Sequence, residues 1–174
     1  MGLFHARCAV SGALGGCKFV PVDESLLESR MRRVAKTYGL PNRTAYFLSQ
    51  GKDTTTQDLV PRSSTIGKPI LVFTTAGTNY TVLGSTGLGG LVAGTWCEVP
   101  YVDIVSLNGW VDRPDGTKRH KRDLHKLEVK NSNTTIQFDA SPGGDFFALW
   151  NICLRVMKMG RQPPNNPLDR LQRW

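Results

Sequence analysis

No apolar run in this 174-residue sequence approaches the roughly 18 residues that a helical membrane span requires. Negative charge is scarce: 14 Asp and Glu stand against 22 Lys and Arg, for a formal net charge of +8. That balance argues against a cationic partner and for an anionic one, such as nucleic acid, a lipid surface or an acidic protein patch. The four cysteines, Cys8, Cys17, Cys97 and Cys153, have no paired spacing. A disulfide framework is therefore not expected, and His5, Cys8 and Cys17 lack a fourth ligand at zinc-finger distance. Cys97 and Cys153 fall in apolar patterns and read as inert core thiols.

Motifs of catalysis are missing as well. Gly87-Leu88-Gly89-Gly90 lacks the third glycine of a dinucleotide fingerprint, and no Lys-Ser or Lys-Thr follows it as in a phosphate loop. No Gly-x-Ser-x-Gly occurs. The sequence thus predicts neither an enzyme nor a bound metal or cofactor. Residues 1–20 offer only His5 and Arg7 as a basic leading region, and the glycines of Ser11–Gly16 interrupt any apolar stretch. They do not read as a secretory leader, so a cytoplasmic location is expected.

What is present is a turn-rich chain with two helical stripes. The 18 glycines and 10 prolines favour short strands. Residues 1–22 read as an irregular arm. Leu27, Met31, Val34 and Tyr38 recur at helical steps. Ser25 and Glu28 have capping-box spacing, and Gly39 and Pro41 should end the helix. Arg30, Arg32, Arg33 and Lys36 fall mostly off that stripe and read as a solvated face, with contact to phosphates as the alternative. Residues 41–67 are polar and read as a linker, with a short strand near Thr44–Ser49.

From Lys68 onward the pattern is β. Ile70–Phe73 form one apolar strand and Tyr80–Leu83 the return. Gly84–Gly90 read as a loose connection, followed by strands over Leu91–Tyr101 and Val102–Val111, with Pro100 as a bend or an edge. Arg113-Pro114-Asp115-Gly116 is a turn signal, expected to lead into a long strand ending at Lys130. Leu127 and Val129, then Ile136, Phe138 and Ala140, alternate with polar residues, which predicts a hairpin turning at Asn131–Asn133. A last amphipathic helix starts near Asp145, buries Phe146, Leu149, Trp150, Cys153, Val156 and Met157, and stops at Gly160. Residues 161–174 form a proline-rich tail.

The expected class is α+β: an antiparallel β-sandwich or partly open barrel over residues 68–160, closed by the C-terminal amphipathic helix, with an N-terminal helical extension over 23–67. Two stretches resemble pleckstrin-homology-like domains of the bacterial and phage or GRAM-like kind. Glu98-Val99-Pro100-Tyr101-Val102-Asp103-Ile104-Val105-Ser106-Leu107 is similar to a strand-to-strand step of that family. Phe146–Leu154 is similar to its closing helix, with Trp150 where many members carry a core tryptophan. The resemblance implies a non-enzymatic platform for lipids, peptides or other domains. Members that bind phosphoinositides carry a basic cluster in the first hairpin, whereas Thr74–Tyr80 has no positive charge.

Positive charge gathers elsewhere. Between Lys118 and Lys130 six Lys or Arg stand against two acids. Arg113, Lys118, Arg119, His120, Lys121, Arg122 and Lys126 are the candidate site, at the tip of a hairpin from which cations can reach phosphates or carboxylates. Protein–protein contact or self-assembly is the expected use. Nucleic acid, anionic lipid, or a structural place in a viral or organellar assembly are the alternatives. Trp110 is the one aromatic close by, and it is open whether it belongs to the core.

Overall fold

The computed structural model describes residues 23–48, 59–111 and 121–161, with backbone only for Gly160 and Arg161. It contains helix α1 (Glu24–Thr37), strands β1 (Ala45–Phe47), β2 (Pro69–Thr74), β3 (Tyr80–Gly84), β4 (Gly87–Val92), β5 (Thr95–Pro100), β6 (Ser106–Trp110), β7 (Lys126–Lys130) and β8 (Thr135–Asp139), and helix α2 (Gly144–Arg161). Short 3-10 turns occupy Tyr101–Asp103 and Lys121–Asp123. The strands form two separate antiparallel sheets, β1-β2-β3-β4-β5 and β6-β7-β8. This is an α+β architecture in which the two sheets do not close into a barrel.

Helix α1 begins where a carboxylate can serve its orphan amides. The Asp23 carboxylate accepts from the Ser25 and Leu26 N–H groups at 2.8 and 3.4 Å. Asp23 therefore caps the helix rather than Ser25, and Glu28 pairs outward with Arg32 instead of reaching back. The helix closes in a Schellman arrangement. Gly39 adopts φ +77°, its N–H donates to the Lys36 carbonyl, and the Leu40 N–H donates to the Ala35 carbonyl, both at 3.1 Å. Only a residue that tolerates the left-handed region suits that position.

One core joins both helices to both sheets. Leu27, Met31, Val34 and Ala35 of α1 pack with Ile152, Val156 and Met157 of α2 and with Leu71, Phe73, Leu83, Leu127, Val129 and Phe138 of the strands. Ile104, Leu127 and Phe138 are buried in this core, and Trp150 packs against it. Trp150 and Phe146 stack edge to face at 5.4 Å, beneath Gly109, where a Cβ would come within 2.7 Å of the indole. At the start of α2 the buried Asp145 accepts from Asn42 Nδ2 at 2.7 Å and from Thr44 Oγ1 at 2.5 Å. Its carboxylate thus ties the approach to β1 to the helix instead of capping its own helix. The helix continues past Gly160 to Arg161.

Three further expectations change. Gly84–Gly90 is not a loose connection: Gly87–Val92 form β4, paired along its whole length with β5 and over Leu88–Leu91 with β3. The turn from β4 to β5 is Ala93-Gly94, both at positive φ (50° and 78°), the backbone a two-residue hairpin turn needs. The strand before Lys130 is short, beginning at Lys126 after a 3-10 turn. Finally, within the span read as a linker, β1 pairs with β2 and residues 59–67 run as a strap over the outer face of the large sheet. There Ile66 and Leu48 bury against Val72 and Val82, with Leu59, Val60, Tyr46, Tyr80 and Trp96 around them. Both faces of β2 are therefore covered, which explains its uninterrupted apolar run.

Glu98 fastens this strap. Its carboxylate accepts from Ser64 Oγ at 2.6 Å, Thr65 Oγ1 at 2.8 Å, the Thr65 N–H at 3.1 Å and Trp96 Nε1 at 2.9 Å. Partial burial pushes the Glu98 carboxyl up, but these donors together outweigh it and hold the group below its ordinary value. A depressed carboxylate stabilises above its unfolded pKa, and that contribution is lost as pH falls through the folded value. Glu98→Gln is expected to loosen the strap by about 1 kcal/mol at neutral pH, after allowance for solvent screening. Amide exchange at Thr65 and Thr86 reads this directly. Wild type and variant should converge as acid protonates Glu98, and equal protection at pH 7 would remove the clamp.

Candidate anion-binding surface

The site is built on the small sheet. Its register sets Trp110 opposite Lys126 and Lys126 opposite Asp139, Asn108 opposite Glu128, and Ser106 opposite Lys130. Leu127 and Val129 point into the core, as does the place a Gly109 side chain would take, against Trp150, Leu124 and Phe146. Because side chains alternate along a strand, Trp110, Lys126, Glu128 and Lys130 lie on the outer face. Trp110 is half-buried there, beside Lys126, and is not part of the core cluster.

Between β6 and β7 the described chain re-enters at the 3-10 turn. Lys121 and Arg122 are exposed on it. The turn is closed by the Leu124 N–H donating to the Lys121 carbonyl at 3.3 Å. Below it the His125 N–H donates to the Trp110 carbonyl at 3.3 Å and the Ala140 N–H to the His125 carbonyl at 2.8 Å. His125 Nδ1 lies 3.1 Å from the Asp123 carbonyl. Backbone pairing on both sides of His125 thus fixes where the turn ends, and its two cations project from a base braced there.

Of the residues singled out from sequence, Lys121, Arg122 and Lys126 come together around this turn and the strand that leaves it. Arg113, Lys118, Arg119 and His120 lie outside the described residues. The outer face is not purely basic. Glu128 accepts from Asn108 Nδ2 at 3.4 Å and Gln137 Nε2 at 3.5 Å, which splits Lys126 from Lys130. Trp110 is the site residue that sequence reasoning left open. Strand parity counted from Leu107 would have placed it outside, but glycine at the core-facing position 109 hides the alternation.

Chemistry of other kinds is thin among the described residues. No three His, Cys, Asp or Glu side chains gather into a group able to hold a metal ion. Cys153 is fully buried, and burial pushes its thiol up to about 12; burial also raises Cys97. Neither is a thiolate at neutral pH, which fits unreactive packing groups. No helix among the described residues is long and apolar enough to cross a membrane. The chain was compared with protein-family models, with curated proteins and with solved structures, and it matches none of them.

Proposed function

We propose that this chain is a non-catalytic interaction module of pleckstrin-homology-like type that uses the basic β6–β7 connection to hold an acidic patch of a protein partner. Support for the fold type comes from the order of elements. A four-strand meander (β2–β5) and a three-strand meander (β6–β8) are followed by one closing helix, with Trp150 and Phe146 of that helix beneath Gly109 of β6. The observation that carries the binding role is the exposed pair Lys121 and Arg122 on a turn braced by β6 and β8. In sequence that pair continues the run from Lys118. A rigid base limits the entropy lost when the cations engage, and carboxylates answer exposed Lys and Arg with charge-assisted hydrogen bonds.

Nucleic acid is the second reading, favoured by Trp110 on the same face as Lys126, since an indole beside cations can stack on a base. Changing Lys118, Arg119, Lys121 and Arg122 together to serine separates the two. Binding of a Glu-rich peptide, followed by fluorescence anisotropy, should fall about tenfold to a hundredfold. A loss confined to single-stranded DNA, steep in salt and matched by Trp110→Ala, would move the assignment to nucleic acid. No loss for either probe would overturn the role of the connection.

A further inference from the structure

We infer that the outer face of the two-helix layer is a second binding surface, distinct from the β6–β7 connection, that lies on an anionic lipid bilayer. Each helix contributes one exposed leucine beside two basic residues. On α1, Leu26, Arg30 and Arg33 follow at steps of four and three, across the helix from Glu28 and Arg32, which face Lys68 and Phe47, and Leu26 is 45% exposed. On α2, Leu154, Arg155 and Lys158 are all exposed, Leu154 at 37%. The two sets adjoin, because Arg30 and Arg155 rim the same narrow slot between the helices, over Leu27, Met31, Ile152 and Val156.

Carboxylates are few along this band among the described residues: Asp23 stands at its N-terminal end, where it accepts from the Leu26 N–H at 3.4 Å. Glu28 points to the other side of α1, where Arg32 and Lys68 hold it at 2.7 and 3.5 Å. Glu24 stands one turn earlier on that same side, and Asp145 is buried against Asn42 and Thr44. Arg30, Arg33, Arg155 and Lys158 have no carboxylate within ion-pair distance among the described residues. Unanswered positive charge calls for an anionic occupant.

The apolar residues decide which occupant. The floor of the slot is already buried, with Met31 and Ile152 each 1% exposed, so a third helix laid along it would find no apolar surface to cover. A nucleic-acid backbone would engage the four cations and leave both leucines in water. A bilayer interface takes both groups: headgroup phosphates and carboxylates face the cations, and leucines that stand out of the helices enter the acyl boundary.

The test uses the full chain and sedimentation with phosphatidylserine–phosphatidylcholine vesicles against phosphatidylcholine vesicles alone. Partitioning is expected only with the anionic vesicles. Changing Arg30, Arg33, Arg155 and Lys158 together to serine should weaken it at least about a hundredfold. Leu26→Ser with Leu154→Ser, which leaves every charge in place, should also weaken it severalfold. The β6–β7 quadruple variant should bind vesicles like wild type, so the two surfaces fail or succeed separately. Anionic-vesicle binding that survives the helix quadruple change, or that ignores the leucines, overturns the inference. So does the absence of any vesicle binding, including the case where duplex DNA binding is lost in that variant.

Discussion

Phe138→Ala is expected to cost about 3–5 kcal/mol of folding stability, the largest single effect of any side-chain truncation considered. Phe138 is fully buried on β8, opposite Leu127 of β7. Its ring edge also reaches the large sheet, where it lies 3.2 Å from the point a Cβ on Gly90 would take. The ring therefore fills the space where the sheets meet, and both β8 and β4 are held by hydrogen-bonded ladders that resist collapse into a cavity. A loss of that size is comparable with the whole stability of many domains. Urea unfolding should show a large fall in midpoint at unchanged slope. A cost below about 1 kcal/mol would mean that the two sheets do not share this core.

Gly84→Ala is the second large effect, and it acts through size alone. A Cβ there would lie 2.1 Å from the Ile66 carbonyl oxygen and 2.9 Å from its carbon. Those are backbone atoms, so no side-chain rotation can relieve the overlap. The strap must lift, and Ile66, 1% exposed in the native fold, loses its place. A cost of about 3 kcal/mol is expected, with new proteolytic cleavage confined to residues 59–67. Gly77→Ala in the β2–β3 turn, with nothing within 4 Å of its Cβ position, serves as the near-neutral control. Equal effects of the two substitutions would show that the strap does not rest on β3.

The contrast between these glycines shows which parts of the fold were legible in the sequence. The β7–β8 hairpin and α2 were readable because their apolar residues repeat at periods of two and 3.6, and Leu127, Phe138, Leu149 and Cys153 are buried as that rhythm requires. Strand β4 was not. Glycine was read as backbone freedom, whereas Gly87, Gly89 and Gly90 are there because Val99, Trp96 and Tyr80 approach too closely for a side chain. Nothing local announces such neighbours.

The strap escaped for the same reason. Ser64 and Thr65 find their acceptor in Glu98, more than thirty residues on. Composition could only report that the segment is polar. The basic site was legible as charge, and Lys121 and Arg122 are exposed as that charge implies. Their placement on a braced 3-10 turn, rather than along an extended ribbon, depends on pairings that β6 and β8 supply from a distance. The basic band across α1 and α2 was invisible for a further reason. Its halves are separated by more than a hundred residues, and only helix packing brings them side by side.

The sheathing of the large sheet by the strap has a consequence for how the molecule can be used. With Val72 and Val82 already roofed over outside and Leu71 and Leu83 walled in behind, the broadest element of the fold has no open face over its central strands. It serves as a keel. The recognition proposed above would then fall to the small sheet and the helical layer, where surface substitution can change partner choice while the keel keeps the whole upright.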